Sequence, residues 1–256
     1  MSEHFTLRLV RSHMLAPSVR HMAFARTDGA PLRFIPGQFL QIHFEDGGRT
    51  LKRSYSIATF HDDPANPEGL VEIAVSYVEG GAATRLLSGL EVGGEIAASG
   101  PYGRFCLHDA DANGRYLLIA TGTGVTPYRA MRPLLEQQVA QRGIEVVVLF
   151  GARNPGEVLY GAEFRALAER VPGVRFMPCL SREGSATPHP DERRGYVQAA
   201  LAALAPDPAR DIAYLCGNPN MVDACFEALK GHGLPIPHIR REKYVSPPDP
   251  KRPAAT

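Results

Sequence analysis

The sequence predicts two domains, an N-terminal antiparallel β-barrel followed by a C-terminal α/β domain on a parallel sheet. Up to about residue 108, short alternating apolar runs are punctuated by Gly and Pro clusters, which is how barrels and sandwiches read. After the polar segment Asp109 to Gly114, strand-like runs alternate with segments of helical period. That rhythm implies a parallel sheet with helices on both faces and right-handed crossovers. At its start, the apolar run Tyr116 to Ala120 passes into Thr121-Gly122-Thr123-Gly124-Val125-Thr126-Pro127, a buried strand that ends in glycines and restarts as a helix.

In the first half the clearest alternations are Phe39 to Phe44 and Leu70 to Tyr77, set among Pro36-Gly37, Asp46-Gly47-Gly48, Gly80-Gly81, Gly93-Gly94 and Gly100-Pro101. One short helix is expected from Ala83 to Leu90, where Leu86, Leu87 and Leu90 share a face. The polar stretch before Gly114 marks the boundary, so residues 1–110 form the barrel domain and 111–244 the α/β domain. In the second domain, strands are expected at Tyr116 to Ala120, Val146 to Phe150, Val174 to Leu180, Ile212 to Cys216 and Ile239 to Tyr244. Helices are read from Phe164, Leu167, Ala168 and Val171, from Tyr196, Val197, Ala200, Leu201 and Leu204, and from Met221, Val222, Cys225, Phe226 and Leu229. Asn218 and Pro219 supply the last of these with a cap and a first-turn proline. Residues 245–256, with four prolines, read as an extended tail.

A chain of 256 residues that is 44% hydrophobic can fill real cores. Its net charge of +1 arises from nearly balanced acids and bases, so nothing global points to nucleic acid. No apolar run approaches the ~20 residues of a membrane helix, and the N-terminus lacks a basic-then-apolar leader, so no membrane association and a cytoplasmic location are expected. Cys106, Cys179, Cys216 and Cys225 stand singly, which argues against disulfides, zinc or an iron–sulfur cluster on this chain; no metal is expected.

The free N–H groups at the glycine loop suit a phosphate, although Pro127 stands where G-x-G-x-x-G has its third glycine. A glycine pair after a strand serves equally as a plain tight turn. In Arg53-Ser54-Tyr55-Ser56, an extended strand puts Arg53 and Tyr55 on one side and Ser54 and Ser56 on the other. Read alone this is an ordinary edge strand. His43, His61, His108, His189 and His232 show no partner pattern, and Asp62, Asp63 and Asp191 read as solvated turns.

Taken together, Arg53-x-Tyr55-Ser56, Gly80-Gly81 with Thr84, Gly100-Pro101-Tyr102-Gly103, the loop Gly122 to Pro127, Ser181-Arg182 and Cys216-Gly217-Asn218-Pro219 follow one another in the order and spacing of a known family. From about Pro36 to Tyr244 the chain resembles the ferredoxin–NADP reductases, in particular the bacterial ferredoxin/flavodoxin–NADP reductase type. The resemblance implies an FAD-binding barrel and an NADP-binding α/β domain. Arg53 would pair with the FAD pyrophosphate, Tyr55 pack on the isoalloxazine and Ser56 stand near flavin N5; Ser54 belongs to the same strand. The turn Gly81, Ala82, Ala83 and Thr84 would hold the other side of the pyrophosphate, and the backbone from Ile73 to Val75 would line the flavin's polar edge.

In the second domain the resemblance gives Gly122, Thr123, Gly124, Thr126 and Pro127 to the nicotinamide nucleotide, and Arg153, Ser181, Arg182, Arg193 and Arg194 to its 2′-phosphate, implying NADP. Cys216 would border the nicotinamide, and Glu242-Lys243-Tyr244 would supply an acid and an aromatic cover. Because 245–256 continue past Tyr244, either Tyr244 or the tail could cover the flavin, and Glu242 could face the site or pair with nearby arginines. The implied activity is hydride transfer between NADP(H) and flavin, with single electrons passed to or from an external ferredoxin or flavodoxin. The reductase component of an oxygenase, or a free-flavin reductase using NAD(P)H, is the alternative.

Overall fold

The structure, a computed structural model, describes residues 3–60 and 62–244. The expected tail, 245–256, lies outside the described residues. Strands β1 (Glu3–Ala16), β2 (Val19–Arg26), β3 (Phe39–Asp46), β4 (Arg49–Ser56), β5 (Val71–Ser76) and β6 (Glu95–Tyr102) form one antiparallel sheet in the order β4-β3-β6-β1-β2-β5. A bridge between Ile57 and Ile73 brings its two edges together, so the sheet curls into a barrel. Alternate residues face inward: Leu7 and Leu9, Met22 and Phe24, Leu40 and Ile42, Ile73 and Val75 share one core. Helix α1 (Ala82–Ser88) seats Leu86 and Leu87 on this core, and it ends before Leu90, which packs there from beyond the Gly89 cap.

The sequence expected only short strands here, yet β1 runs for 14 residues. Register shifts between Leu9 and Arg11 and between Met14 and Ala16 change the phase of its alternation, which hides a long strand from period-2 reading.

The second sheet is parallel throughout: β7 (Arg115–Thr121), β8 (Glu145–Ala152), β9 (Val174–Leu180), the two-residue β10 (Arg193–Arg194), β11 (Asp211–Gly217) and β12 (Ile239–Lys243), ordered β10-β9-β8-β7-β11-β12. Helices α2 (Thr126–Arg142) and α3 (Gly161–Arg170) cover one face, packing Tyr128, Met131, Leu135 and Phe164 on Tyr116, Leu118, Val146 and Val148. Helices α4 (Val197–Ala203) and α5 (Pro219–Gly231) cover the other, packing Val197, Leu201, Val222 and Phe226 on Leu117, Ile119, Val147 and Leu149. Asn218 Oδ1 accepts from the N–H groups of Asn220 and Met221 at 2.9 and 3.4 Å, so α5 starts on the cap its sequence specifies. From β7 the strand order runs one way to β8 and β9, then returns to place β11 on the other side. The glycine loop sits at that reversal, where open parallel sheets form a crevice.

Two sets of contacts join the halves. Phe105 packs against Tyr128 and Tyr214, and the Tyr214 hydroxyl donates to Cys106 O at 2.8 Å. The second is ionic: Arg129 of α2 donates to Ala58 O and Glu72 Oε2, both at 2.8 Å, to Asp63 Oδ2 at 3.2 Å and to Glu163 Oε2 at 2.9 Å. His21 meets Glu72 Oε1 at 3.3 Å through Nε2 and shares a hydrogen bond with the Tyr160 hydroxyl through Nδ1. Burial alone would raise the Glu72 carboxyl, but the bond from His21 and the Arg129 charge outweigh it and hold it down at about 2. Asp63 is therefore not the solvated turn expected from its neighbours. It is buried, because a guanidinium from the other half reaches it.

Candidate functional site

A cleft of about 1730 Å³ runs between the halves, larger than the ~300–1,000 Å³ typical of a single small-ligand pocket. Its barrel wall is β4, with Arg53, Ser54, Tyr55 and Ser56, and the turn into α1, with Gly81, Ala82, Ala83 and Thr84. Its other wall is built at the carboxyl ends of the parallel strands: Thr121, Gly122 and Thr123 after β7, Arg153 after β8, Ser181 after β9, Gly217 and Asn218 after β11, and Glu242 and Tyr244 from β12. Thr126, at the start of α2, lines it as well. Residues that are far apart in sequence converge because β4 is a sheet edge and the parallel strands all point their carboxyl ends at it.

Along β4, Arg53 and Tyr55 are half-buried and Ser54 is exposed, as the alternation predicts, while Ser56 is buried at the strand's end. Burial pushes the Tyr55 phenol up to about 12, so it presents a neutral ring. Thr84 does not cap α1. Its Oγ1 accepts from the Val78 N–H at 2.8 Å, leaving the first-turn N–H groups without a side-chain cap.

The glycines of the loop are required for a close chain crossing. A Cβ on Gly124 would lie 2.2 Å from Cys216 O, and one on Gly217, at φ +125°, would lie 2.5 Å from Thr121 O. Asn218 N–H then donates to Thr121 Oγ1 at 3.0 Å, and Tyr244 N–H to Gly217 O at 2.8 Å. Loop, β11 and the end of β12 thus form one wall.

On that wall the Tyr244 hydroxyl bonds the Ser56 hydroxyl across the cleft and lies against the Cys216 thiol. Cys216 itself is fully buried behind the wall, and burial holds its thiol well above the ordinary cysteine range. Glu242 lines the cleft with no ion pair among the described residues, and burial raises its carboxyl to about 7. The arginines beside it are engaged elsewhere: Arg240 with Asp111, Arg241 over the Phe226 ring.

Not every predicted residue reaches the cleft. Ile73 and Val75 point into the barrel core, and it is Ala74 and Ser76, on the opposite face of β5, that line the site. Gly124 and Pro127 lie behind the loop surface. Arg193 donates to Pro190 O at 2.7 Å and Arg194 to Arg182 O at 2.7 Å, so both brace the 182–194 loop; neither they nor Arg182 line the cleft. Sequence reading passed over Glu157, Tyr196 and Gln198, all of which line it. An aromatic two residues before a glutamine, just after the strand-end arginines, was the available signal.

Two buried polar atoms in these walls have no partner among the described residues, Thr126 Oγ1 and Gln198 Oε1. Such atoms cost stability unless something bonds them, and a polar ligand in the cleft would. With Arg53 and the uncapped turn of α1 for anionic groups, the donor set and the room fit a flavin dinucleotide and a nicotinamide nucleotide together. Among the described residues no cluster of His, Cys, Asp or Glu could hold a metal ion, and no helix is long and apolar enough to cross a membrane.

Comparison with known proteins agrees with this geometry. Residues 6–106 match the family model of the oxidoreductase FAD-binding domain and residues 118–227 that of the oxidoreductase NAD-binding domain. Over 251 residues the chain is 38% identical to ferredoxin–NADP reductase B of Sorangium cellulosum (strain So ce56), covering 95% of this chain and 98% of that protein. It is 31% identical over 244 residues to the reductase component of propane 2-monooxygenase from Rhodococcus jostii (strain RHA1), covering 94% of this chain but only 63% of that longer protein. The crystal structure of the Amycolatopsis cytochrome P450 reductase GcoB superposes with a TM-score of 0.80 at 30% identity, covering 94% of this chain and 70% of that one. The fold is shared with a ferredoxin NADP+ reductase from Neisseria gonorrhoeae, solved with FAD and NADP, at a TM-score of 0.78 and 19% identity, covering 94% and 98% of the two chains. With a barrel and a parallel sheet meeting at this cleft, the chain belongs to the ferredoxin–NADP reductase family of FAD- and NAD(P)-binding oxidoreductases.

Proposed function

We propose that the protein oxidises NADPH at an FAD held across the cleft and passes the electrons singly to a ferredoxin or flavodoxin, or runs the reverse reaction. The observation that carries this is the meeting of Ser56, Tyr244 and Glu242 where the barrel edge faces the carboxyl ends of β7, β11 and β12. Bound FAD supplies the conversion between a two-electron hydride and single electrons. The protein's part is to bind, orient and exclude water.

Arg53 and the first turn of α1, Gly81 to Thr84, are assigned to the pyrophosphate, and Tyr55 to a flat contact with the ring system. Main chain at Ala74, within the stretch from Ile73 to Val75, serves as the polar edge. Gly122, Thr123 and Thr126 receive the nicotinamide side, where the free Thr126 hydroxyl can donate. Arg153 and Ser181 serve the adenosine end beside the exposed Tyr196 ring; Arg182, Arg193 and Arg194 add positive charge from the loop.

Ser56 offers one small hydroxyl, and whatever reaches it must displace Tyr244. Glu242 can hold or release a proton near neutral pH, since burial sets its carboxyl at about 7. Cys216 stays a thiol and acts through its contact with Tyr244. The four free, buried cysteines agree with a reducing, cytoplasmic setting. We take residues 1–110 and 111–244 as the two working units.

The likeness to the propane 2-monooxygenase component favours a second reading, in which the electrons go to an oxygenase, directly or through a separate ferredoxin. Purification decides the core of the proposal: the protein should be yellow and bleach when mixed anaerobically with NADPH. A colourless protein, or a flavin that NADPH leaves oxidised, refutes it. Reoxidation by ferredoxins and flavodoxins, compared in stopped flow, separates the two readings.

A further inference from the structure

Among the described residues, Arg153 is the one arginine of the parallel-sheet half that lines the cleft, and it is already paired. Its Nη2 donates to Glu157 Oε1 at 2.5 Å and its Nε to Glu157 Oε2 at 2.8 Å. The Arg153 main-chain N–H reaches the same Oε2 at 3.4 Å. Glu157 comes back to the end of β8 through the turn Pro155–Glu157, and both side chains face the cleft beside Ser181 and Tyr196. The main chain beneath them is held: Ser181 N–H donates to Ala152 O at 3.0 Å and Arg182 N–H to Arg153 O at 2.9 Å. The pair therefore stands on two tied strand ends, with Arg153 still 55% exposed and able to turn.

In open parallel sheets the residue type at the end of the second strand separates the two nicotinamide nucleotides. A carboxylate accepts from the ribose 2′-hydroxyl of NADH, and an arginine holds the 2′-phosphate of NADPH. Here the end of the second strand offers both, Arg153 and Glu157, bonded to each other. We propose that the Arg153–Glu157 pair makes the nucleotide site dual in specificity, Glu157 serving the adenosine ribose of NADH and Arg153 the 2′-phosphate of NADPH.

A 2′-phosphate has to take Arg153 from a fork-to-fork carboxylate and then lie beside that carboxylate, so its advantage is blunted. A 2′-hydroxyl disturbs nothing: it donates to a Glu157 oxygen while Arg153 stays in place. The preference for NADPH over NADH is then modest, below about a hundredfold in kcat/KM, where an unpaired arginine would give more. This rests on the reading that the cleft takes a nicotinamide nucleotide with its adenosine at the ends of β8 and β9.

The test uses the purified flavoprotein and two variants, Glu157→Gln and Arg153→Gln. The ratio of kcat/KM for NADPH to that for NADH should rise about tenfold in Glu157→Gln and fall about tenfold in Arg153→Gln, with the change in KM. Calorimetric titration with 2′,5′-ADP and 5′-AMP reads the adenosine end without turnover. Glu157→Gln should tighten 2′,5′-ADP about tenfold relative to 5′-AMP, and Arg153→Gln should do the reverse. Because the pair is at the surface, both variants should keep the wild-type unfolding midpoint. Ratios that stay unchanged, or move in the same direction in both variants, overturn the inference while leaving flavin reduction intact. A wild-type flavin that neither nucleotide bleaches overturns the underlying reading and this inference with it.

Discussion

Replacing Glu242 by glutamine should make the protein's stability less dependent on pH, in a direction that the burial of this carboxyl dictates. In the folded protein the group is raised from 4.5 to about 7 by loss of water, with no cation among the described residues to offset it. Such a rise corresponds to about 3 kcal/mol between the neutral and charged forms. The sign follows from proton counts. Below about 4.5 folded and unfolded chains both hold the proton, so burial of the neutral acid costs little. Between about 4.5 and about 7 the unfolded chain releases it while the folded one keeps it, and stability falls as pH rises. Above about 7 the folded state carries a half-buried charge with no ion pair among the described residues, and the full cost remains. A glutamine of the same shape never ionises.

From about pH 5 to about pH 9, the wild type should therefore lose about 2.5 kcal/mol relative to Glu242→Gln. Urea unfolding of both proteins across that range, followed by far-ultraviolet circular dichroism, measures the difference; the other titrating groups are common to both and cancel. Parallel stability curves would show that Glu242 is solvated or paired, and would remove the reason for giving it a proton-holding role.

Arg129→Met should destabilise the protein by about 3–5 kcal/mol, since it leaves the buried Asp63 without its cation and Glu72 with only His21 and the more distant Arg11 at 3.5 Å; a denaturant midpoint within error of wild type would mean that the cluster is water-filled. Gly124→Ala forces a Cβ to within 2.2 Å of Cys216 O, so β11 or the loop must move, at a cost of about 1–3 kcal/mol and with weakened nucleotide binding; wild-type affinity and melting together would contradict the close crossing. Ser56→Ala should keep its flavin yet be bleached by NADPH about a hundredfold more slowly, as for loss of one well-placed donor; an unchanged stopped-flow rate would take Ser56 out of the hydride step.

How far the sequence reaches can be seen from particular residues. The strand-glycine-helix loop, the Asn218 cap and the helical stripes on α3, α4 and α5 are local, and each was legible because a few neighbouring residues settle the backbone. The change of rhythm after Asp109 to Gly114 carried the two-part architecture for the same reason. The length of β1 was not legible, because its irregular register breaks the alternation that reveals a strand.

Pairing across the fold was invisible in the sequence. Arg193 and Arg194 have the chemistry of a phosphate site, but the loop they follow takes their donors for its own carbonyls. Asp63 reads as a solvated turn until α2 brings Arg129 between it, Glu72 and Glu163. Glu157 has meaning only because a turn carries it back onto Arg153. By itself, the sequence determined which backbone shapes form and which residue types stand at the strand ends, since both depend on near neighbours. The tertiary structure alone decided which of those side chains are paired, which are buried without a partner and which face the cleft, because charge compensation and loss of water arise between segments far apart in the chain.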